Sequence, residues 1–154
     1  RYDLAVQVAD TLYEKGIIEG VISFGSTENY AKHKHPKGLK AFYGNASKLT
    51  VAEVFNQCKA YLMPSVSEGL NMTPIESTLC GCPAVICDGA IGEIFEPSYN
   101  CVVSEPDDID SLVINIDAII HFYDSLRAVL NTKMRERIKD YTWKSVADKL
   151  KQLL

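Results

Sequence analysis

Between residues 60 and 126 the chain has no lysine and no arginine, although the same stretch carries 11 of its 20 acidic side chains. All 16 basic residues lie in the two flanking blocks, so the formal net charge of −4 averages an acidic centre against basic ends. A nucleic-acid-binding face needs clustered cations, and the central segment excludes one there. No uncharged apolar run approaches the roughly 18–20 residues that a membrane helix requires. The five cysteines (Cys58, Cys80, Cys82, Cys87 and Cys101) contain no C-x-x-C pair. Their odd number and spacing argue against a disulfide framework and against a zinc site. Cys80 and Cys82, which flank Gly81, read as small buried residues in a reducing compartment. No strand-like segment is followed by G-x-G-x-x-G, which argues against a dehydrogenase. The start, Arg1-Tyr2-Asp3-Leu4, has neither an initiator Met nor a signal-peptide core, so it reads like the interior of a longer chain.

What is present is an ordinary globular composition. A length of 154 residues, 47% of them hydrophobic, suits one domain with one core and is too short for two α/β domains. Leu4, Ala5, Val8, Ala9 and Leu12 recur at helical spacing, predicting a helix over 3–15 that ends near Gly16. Short apolar runs at 21–24, 39–43, 60–63, 84–87 and 100–103 predict five strands. Helices are expected between them, with Thr50 opening one as far as Cys58 and Thr73 capping another. From Pro106 the pattern is helical: 109–122, about 124–139, and a last helix capped by Thr142. Strands alternating with helices predict an α/β fold, a Rossmann-like doubly wound parallel sheet over residues 1–154. The length is enough for a complete sheet, so the chain is expected to fold alone. Ligands of such sheets sit beyond the carboxyl ends of the strands, on loops 25–38, 44–49, 64–73 and 88–93.

Loop 64–76, Pro-Ser-Val-Ser-Glu-Gly-Leu-Asn-Met-Thr-Pro-Ile-Glu, carries the densest chemistry. Gly69 lets the backbone approach a ligand closely or adopt a positive φ. The amides of residues 69–73 precede or open a helix, and a helix N-terminus favours an anion. The Glu76 carboxylate accepts two hydroxyl hydrogen bonds, which suits a ribose diol. The plainer role for Glu76 is a capping box with Thr73, and geometry alone divides these evenly. Taken alone, Glu68 is a solvated loop acid. The cluster Lys32, Lys34, Lys37 and Lys40, with His33 and His35, is read as a solvated charged loop.

Pro64-Ser65, Glu68-Gly69, Glu76, Gly81-x-Pro83 and Asp88 through Glu93, in this order and spacing, resemble the donor-binding half of retaining GT-B glycosyltransferases, glycosyltransferase family 4. Glu68 and Glu76 satisfy its E-x7-E pattern, and the likeness runs through nearly the whole chain to Tyr141-Thr142-Trp143. The resemblance implies that Glu76 holds the ribose and that Glu68 contacts the donor sugar near the reacting centre. It also implies that backbone amides around Gly69, Leu70, Asn71 and Met72 hold the diphosphate, and that the base lies near Tyr43-Gly44. No metal and no cofactor is implied. The partners are a nucleotide-diphosphate sugar and a glycan or lipid-linked acceptor, the latter bound by an N-terminal domain outside this chain. The setting is cytoplasmic, with peripheral association of the full-length protein at the inner membrane face, and polysaccharide biosynthesis is the expected process.

This sequence departs from the family pattern in three places. Asn71 stands where a small residue is usual, and Gly92 replaces the proline of a Pro-Glu pair. The Arg and Lys that grip the diphosphate fall at or before Arg1. A diphosphate beside residues 60–126 would meet carboxylates and no cation, so the Lys32–Lys40 loop, Lys48 or an upstream segment must supply one. The 154 residues alone are therefore expected to bind donor weakly and not to catalyse. A GT-B-like sugar-nucleotide epimerase and a non-catalytic nucleotide-sugar-binding module are the alternatives. A phosphorylase would need a pyridoxal-phosphate lysine, which residues 60–126 lack.

Overall fold

The computed structural model describes residues 1–90, 92–142, 144, 145, 148 and 151. Helix α1 (Tyr2–Glu14) buries Leu4, Val8, Ala9 and Leu12 on the face the spacing predicts, and Val6, round the helix from them, is buried as well. Strand β1 (Val21–Gly25), the short helix α2 (Thr27–Tyr30), β2 (Leu39–Gly44), α3 (Lys48–Gln57) and β3 (Tyr61–Met63) follow. Then come α4 (Met72–Leu79), β4 (Ala84–Cys87), β5 (Val102–Ser104), α5 (Ile109–His121) and α6 (Tyr123–Ile138). Segment 26–37, too polar to carry a periodicity, contains the single turn of α2.

The doubly wound architecture is clearest at β4, which pairs in parallel with β3 on one side and β5 on the other. All four of its side chains are buried. Successive side chains of a strand point to opposite faces. Accordingly Val85 and Cys87 join α1 and α5 in one apolar cluster with Leu4, Leu112 and Ile116. Ala84 and Ile86 join the other, with Ile75 of α4 and Met134 of α6. Helices thus cover both faces, which is why β4 reads as a continuous apolar run rather than an alternation.

One expectation needs correction. Among the described residues the five strands do not form one sheet: β1 pairs with β2, and β3, β4 and β5 make a separate parallel sheet. β1 and β3 instead line a shared cavity of about 720 Å³. Two helix starts also move. Ser47, not Thr50, caps α3, its hydroxyl accepting the Thr50 amide at 3.1 Å. Asn71, not Thr73, is the N-cap residue of α4. Pro74 then falls at the third helical position, where its missing N–H costs nothing because first-turn donors have no intrahelical acceptor. Helix α4 ends as predicted at Gly81, whose φ of +84° closes the turn while its amide donates to Thr78 and that of Cys82 to Ser77. Thr142 and Ser145 exchange side-chain-to-amide hydrogen bonds at 3.1 Å, the expected cap. Most of the helix it would open, and Trp143, lie outside the described residues.

Candidate functional site

The site lies on the loops that follow β2 and β3. Strand β3 ends at Met63, and Pro64 turns the chain into loop 64–71, whose residues Glu68, Gly69 and Leu70 are exposed. Gly69 has no positive φ, so of its two proposed uses only close approach remains. A Cβ built there meets nothing within 4 Å, leaving open space at that point of the loop. Asn71 then disappears into the protein at 5% exposure, while Met72, the first residue of α4, stays exposed. The Asn71 side-chain amide is buried with no hydrogen-bond partner. The N-terminus of α4 therefore presents free backbone N–H groups and the positive end of its dipole beside an exposed, glycine-containing loop.

Moving the cap to Asn71 changes what Glu76 does. It now sits past the first turn, out of reach of a capping box, and its half-buried side chain has no cap to satisfy. Glu76 lines a hollow of about 250 Å³ between α3 and α4, with Lys48, Val51, Ala52 and Phe55 of α3 on the other wall. The first turn of α3 thus brings Lys48 to the same hollow as the second glutamate of the motif.

Tyr61, which reads in the sequence only as part of an apolar run, packs behind the loop. Its phenol pKa is raised, chiefly by burial and further by the carboxylates of Glu68 and Glu76, while the Thr73 hydroxyl acts in the opposite sense. The half-buried hydroxyl itself donates to Met63 Sδ at 3.4 Å. Tyr61 also stacks with Phe24 at 6.2 Å and meets Phe55 edge-on at 5.3 Å, so β1, α3 and β3 are packed together just behind the site.

Tyr43 and Gly44, exposed at the carboxyl end of β2, belong to the two-stranded sheet and lead through Ser47 into α3. The basic cluster is differently occupied. Lys34 donates to Asp10 at 3.2 Å, the Lys37 backbone amide donates to the same carboxylate at 2.6 Å, and the Lys37 ammonium pairs with Glu14. His33 lies 3.5 Å from Asp3, and the His35 ring stacks on Tyr30 at 3.8 Å. The cluster ties loop 31–38 to the acidic face of α1 instead of facing water alone. Of the cations weighed within the chain, Lys48 is the one placed beside Glu76. The cysteines divide: Cys82, Cys87 and Cys101 are buried, and Cys58 and Cys80 partly so. Burial pushes the Cys101 thiol up to about 12. Among the described residues no helix is long and apolar enough to cross a membrane.

Gly89, in the single 3₁₀ turn after β4, fixes the loop from behind. A Cβ there would stand 2.2 Å from the Val66 carbonyl oxygen, a backbone atom that cannot swing aside. Gly89→Ala is expected to force loop 64–70 outward at about 1–3 kcal/mol, the usual range for overpacking. Thermal unfolding should show a Tm lowered by roughly 3–10 °C; an unchanged Tm would mean the loop is not held there.

The model for the family described as glycosyl transferases group 1 matches residues 24–145. An uncharacterized glycosyltransferase of Methanocaldococcus jannaschii is 22% identical over 107 residues, covering 69% of this chain and 27% of its own. The crystal structure of TarM, a Staphylococcus aureus protein, superposes with a TM-score of 0.80 at 23% identity, over 99% of this chain and 32% of that one. An Anabaena protein, HepE, crystallised in complex with UDP, superposes with a TM-score of 0.61 at 12% identity, over 94% of this chain and 52% of its own. At these identities the structural likeness establishes the Rossmann-like fold. The chain spans about a third or less of the first two proteins.

Proposed function

Since the chain belongs to the group 1 glycosyl transferases, we propose that it is the donor-binding domain of a retaining enzyme. The full-length protein moves a sugar from a nucleotide-diphosphate sugar to a glycan or lipid-linked acceptor. The observation that carries this reading is Glu76 facing Lys48 across one hollow, on the helix whose uncapped N-terminus follows the exposed loop of Glu68 and Gly69. Glu76 accepts the two ribose hydroxyls, with Lys48 on the facing wall. The backbone amides of residues 69–72 receive the diphosphate, Glu68 faces the donor sugar, and the base lies toward Tyr43-Gly44. The UDP in the crystal structure of HepE supports a nucleotide ligand for this fold.

In this reading the leaving phosphate takes the acceptor proton on the face where the new bond forms. Configuration is retained without a protein nucleophile, and no metal or cofactor enters. The acceptor binds across a cleft on an N-terminal domain of the longer protein. The enzyme works in the cytoplasm, peripherally at the inner membrane face, in polysaccharide biosynthesis. The discriminating experiment is a thermal-shift screen of UDP-, GDP- and ADP-sugars on the full-length protein, followed by transfer assays. Stabilisation by one base series together with acceptor-dependent sugar transfer is expected. Sugar interconversion without acceptor would make it an epimerase, and binding without turnover a recognition module.

The charge pattern makes a second prediction. Helix-end interactions contribute only about 0.3–1 kcal/mol each at exposed sites, and up to ~2 kcal/mol when partly buried. Residues 60–126 offer the diphosphate no cation, while Lys34 and Lys37 are spent on α1. The isolated 154 residues should bind a nucleotide sugar with Kd no better than about 10⁻⁴ M, roughly −5.5 kcal/mol. Low-micromolar binding by calorimetry would show that the chain carries all the phosphate contacts it needs.

A further inference from the structure

Glu68 and Gly69 are exposed on their loop, so the position of Glu68 depends on what lies beneath it. Two glycines that follow β4 supply the support. A Cβ on Gly89 would stand 2.2 Å from the Val66 carbonyl oxygen, and one on Gly92 would stand 3.5 Å from the Gly69 carbonyl oxygen. Loop 64–70 therefore rests on Gly89 and Gly92, and the second contact adjoins Glu68.

The core anchors the chain on either side of Gly92 but not at it. Ala90 and Ile94 are buried in one cluster with Ile75, Ile86 and Met134. Farther on, the buried Asn100 uses both ends of its carboxamide: Nδ2 donates to the Ile94 carbonyl and Oδ1 accepts the Glu96 amide, each at 2.8 Å. Between these anchors the chain surfaces, with Gly92 half-buried and Glu93 exposed. Arg137 of α6 reaches that stretch, its Nη2 donating to the Glu93 carbonyl oxygen at 3.0 Å. The acceptor is a main-chain oxygen, so the bond fixes backbone and not a rotatable carboxylate. Helix α6 is a firm base for it, because Leu130 and Met134 are buried and Arg137 follows Met134 by one turn. The guanidinium also lies 5.7 Å over the Tyr141 ring, and its Nε is buried without a partner. A buried donor left unbonded costs stability, so stability alone does not account for this placement.

We propose that Arg137 is a positioning residue for the reacting centre: by holding the Glu93 carbonyl it sets Gly92 against Gly69, and so sets where Glu68 stands over the donor sugar. The proposal rests on the donor-site reading above. The contacts run from Arg137 to Glu93, from Gly92 to Gly69, and on to Glu68, which is the sugar end of the site. Helix α4, which carries Glu76 and the phosphate-facing amides, is seated separately through the buried Pro74, Ile75, Ser77 and Thr78. Loss of the Arg137 bond should therefore slow transfer and spare nucleotide binding. A shift of about 1 Å in a reacting group is enough to cost up to roughly 10² in rate.

The test is a double-mutant cycle on the full-length protein, using Arg137→Met, Arg137→Lys, Glu68→Gln and the Arg137→Met, Glu68→Gln pair. Methionine keeps an unbranched stem beside Tyr141 and has no N–H to donate. Lysine restores a donor, and the Glu93 carbonyl takes only one. Each variant is measured by single-turnover transfer from UDP-, GDP- and ADP-sugars, by calorimetry with free UDP, GDP and ADP, and by thermal unfolding. Arg137→Met should lower kcat about tenfold and leave the nucleoside diphosphate Kd within about threefold. Its Tm should stay within a few degrees of wild type, and Arg137→Lys should recover most of kcat. In the Glu68→Gln background Arg137→Met should lower kcat no further, whereas independent sites would multiply their losses. Unchanged kcat in Arg137→Met, multiplied losses, or no recovery with lysine overturns the inference. So does a nucleotide Kd raised about tenfold, which would put Arg137 on the phosphates. A large fall in Tm, or failure of Arg137→Met to fold, overturns it too by making the residue structural. Glu68→Gln without effect on kcat defeats the donor-site reading itself; the expected Glu68→Gln loss beside a silent Arg137→Met defeats this inference alone.

Discussion

Glu76→Ala in the full-length protein is expected to weaken binding of the donor nucleotide about a hundredfold while leaving the fold intact. Hydrogen bonds to a charged group contribute about 1.5–3 kcal/mol each, and the proposed ribose diol makes two to this carboxylate. Losing roughly 3 kcal/mol corresponds to a little over two decades in Kd. The ribose does not change during sugar transfer, so the interaction is equally strong in the ground and transition states. The loss should therefore appear mainly in Kd and KM, with kcat reduced less than about tenfold. Stability should hardly respond. Glu76 makes no cap and is half-buried on the wall of an open hollow, while Pro74, Ile75, Ser77 and Thr78 carry the helix's buried contacts. Alanine is also the better helix former. If nucleotide affinity and transfer rate both survived, Glu76 would not be the ribose ligand. If Tm fell by more than a few degrees, its role would be structural after all.

That separation between function and packing was only partly legible in the sequence. The strands and the two faces of the central sheet follow from local patterns: β4 is a short apolar run between Pro83 and Asp88, and the face each residue takes is fixed by alternation. The glycine that stops α4 was also readable, because a positive φ is cheap only there. The start of α4 was not. Thr73-Pro74-Ile75-Glu76 has the spacing of a capping box, yet the helix begins at Met72, because proline is tolerated anywhere in the first turn and the loop must dive at Asn71 to bury it. An error of two residues there decided whether Glu76 was a cap or a free carboxylate. The place of Tyr61 could not have been read, since it is tertiary: its ring meets Phe24 and Phe55 only when β1, α3 and β3 are packed. The division of the sheet was equally hidden. Strand pairing is a property of edges, and an apolar run at β1 or β3 is the same whether one side or both are paired.

The basic loop shows the same limit from the electrostatic side. Four lysines within nine residues look available to any anion, but Asp10 and Glu14 are one helical turn apart on α1 and face that loop. Exposed pairs of this kind contribute little stability, with a median near 0–1 kcal/mol. They still commit Lys34 and Lys37 to holding the loop on the helix, whereas Lys48 lines the hollow that Glu76 faces.

Glu68→Gln should give the opposite kinetic signature to Glu76→Ala. In the proposed donor placement Glu68 lies against the sugar, where positive charge grows as the bond to the leaving phosphate lengthens. A fixed carboxylate stabilises that charge more in the transition state than in the bound donor, which is the condition for raising kcat rather than binding. Replacing one oxygen with an amide keeps the shape and removes the charge. Loss of one preorganised electrostatic contact of this kind costs roughly 2.7–4 kcal/mol, or 10²–10³ in kcat. Because the proposed placement keeps Glu68 off the nucleotide, the Kd for the free nucleoside diphosphate should stay within about threefold. It should tighten if anything, since the variant removes a carboxylate from the diphosphate's surroundings, where residues 60–126 supply no cation to offset it. Glu68 is exposed on its loop, so Tm should not move. Single-turnover transfer measured beside nucleotide calorimetry separates the outcomes. A kcat loss at constant affinity assigns Glu68 to the reacting centre. Unchanged kcat returns it to the solvated loop acid that its exposure alone describes, and a parallel loss of both places it on the phosphates instead.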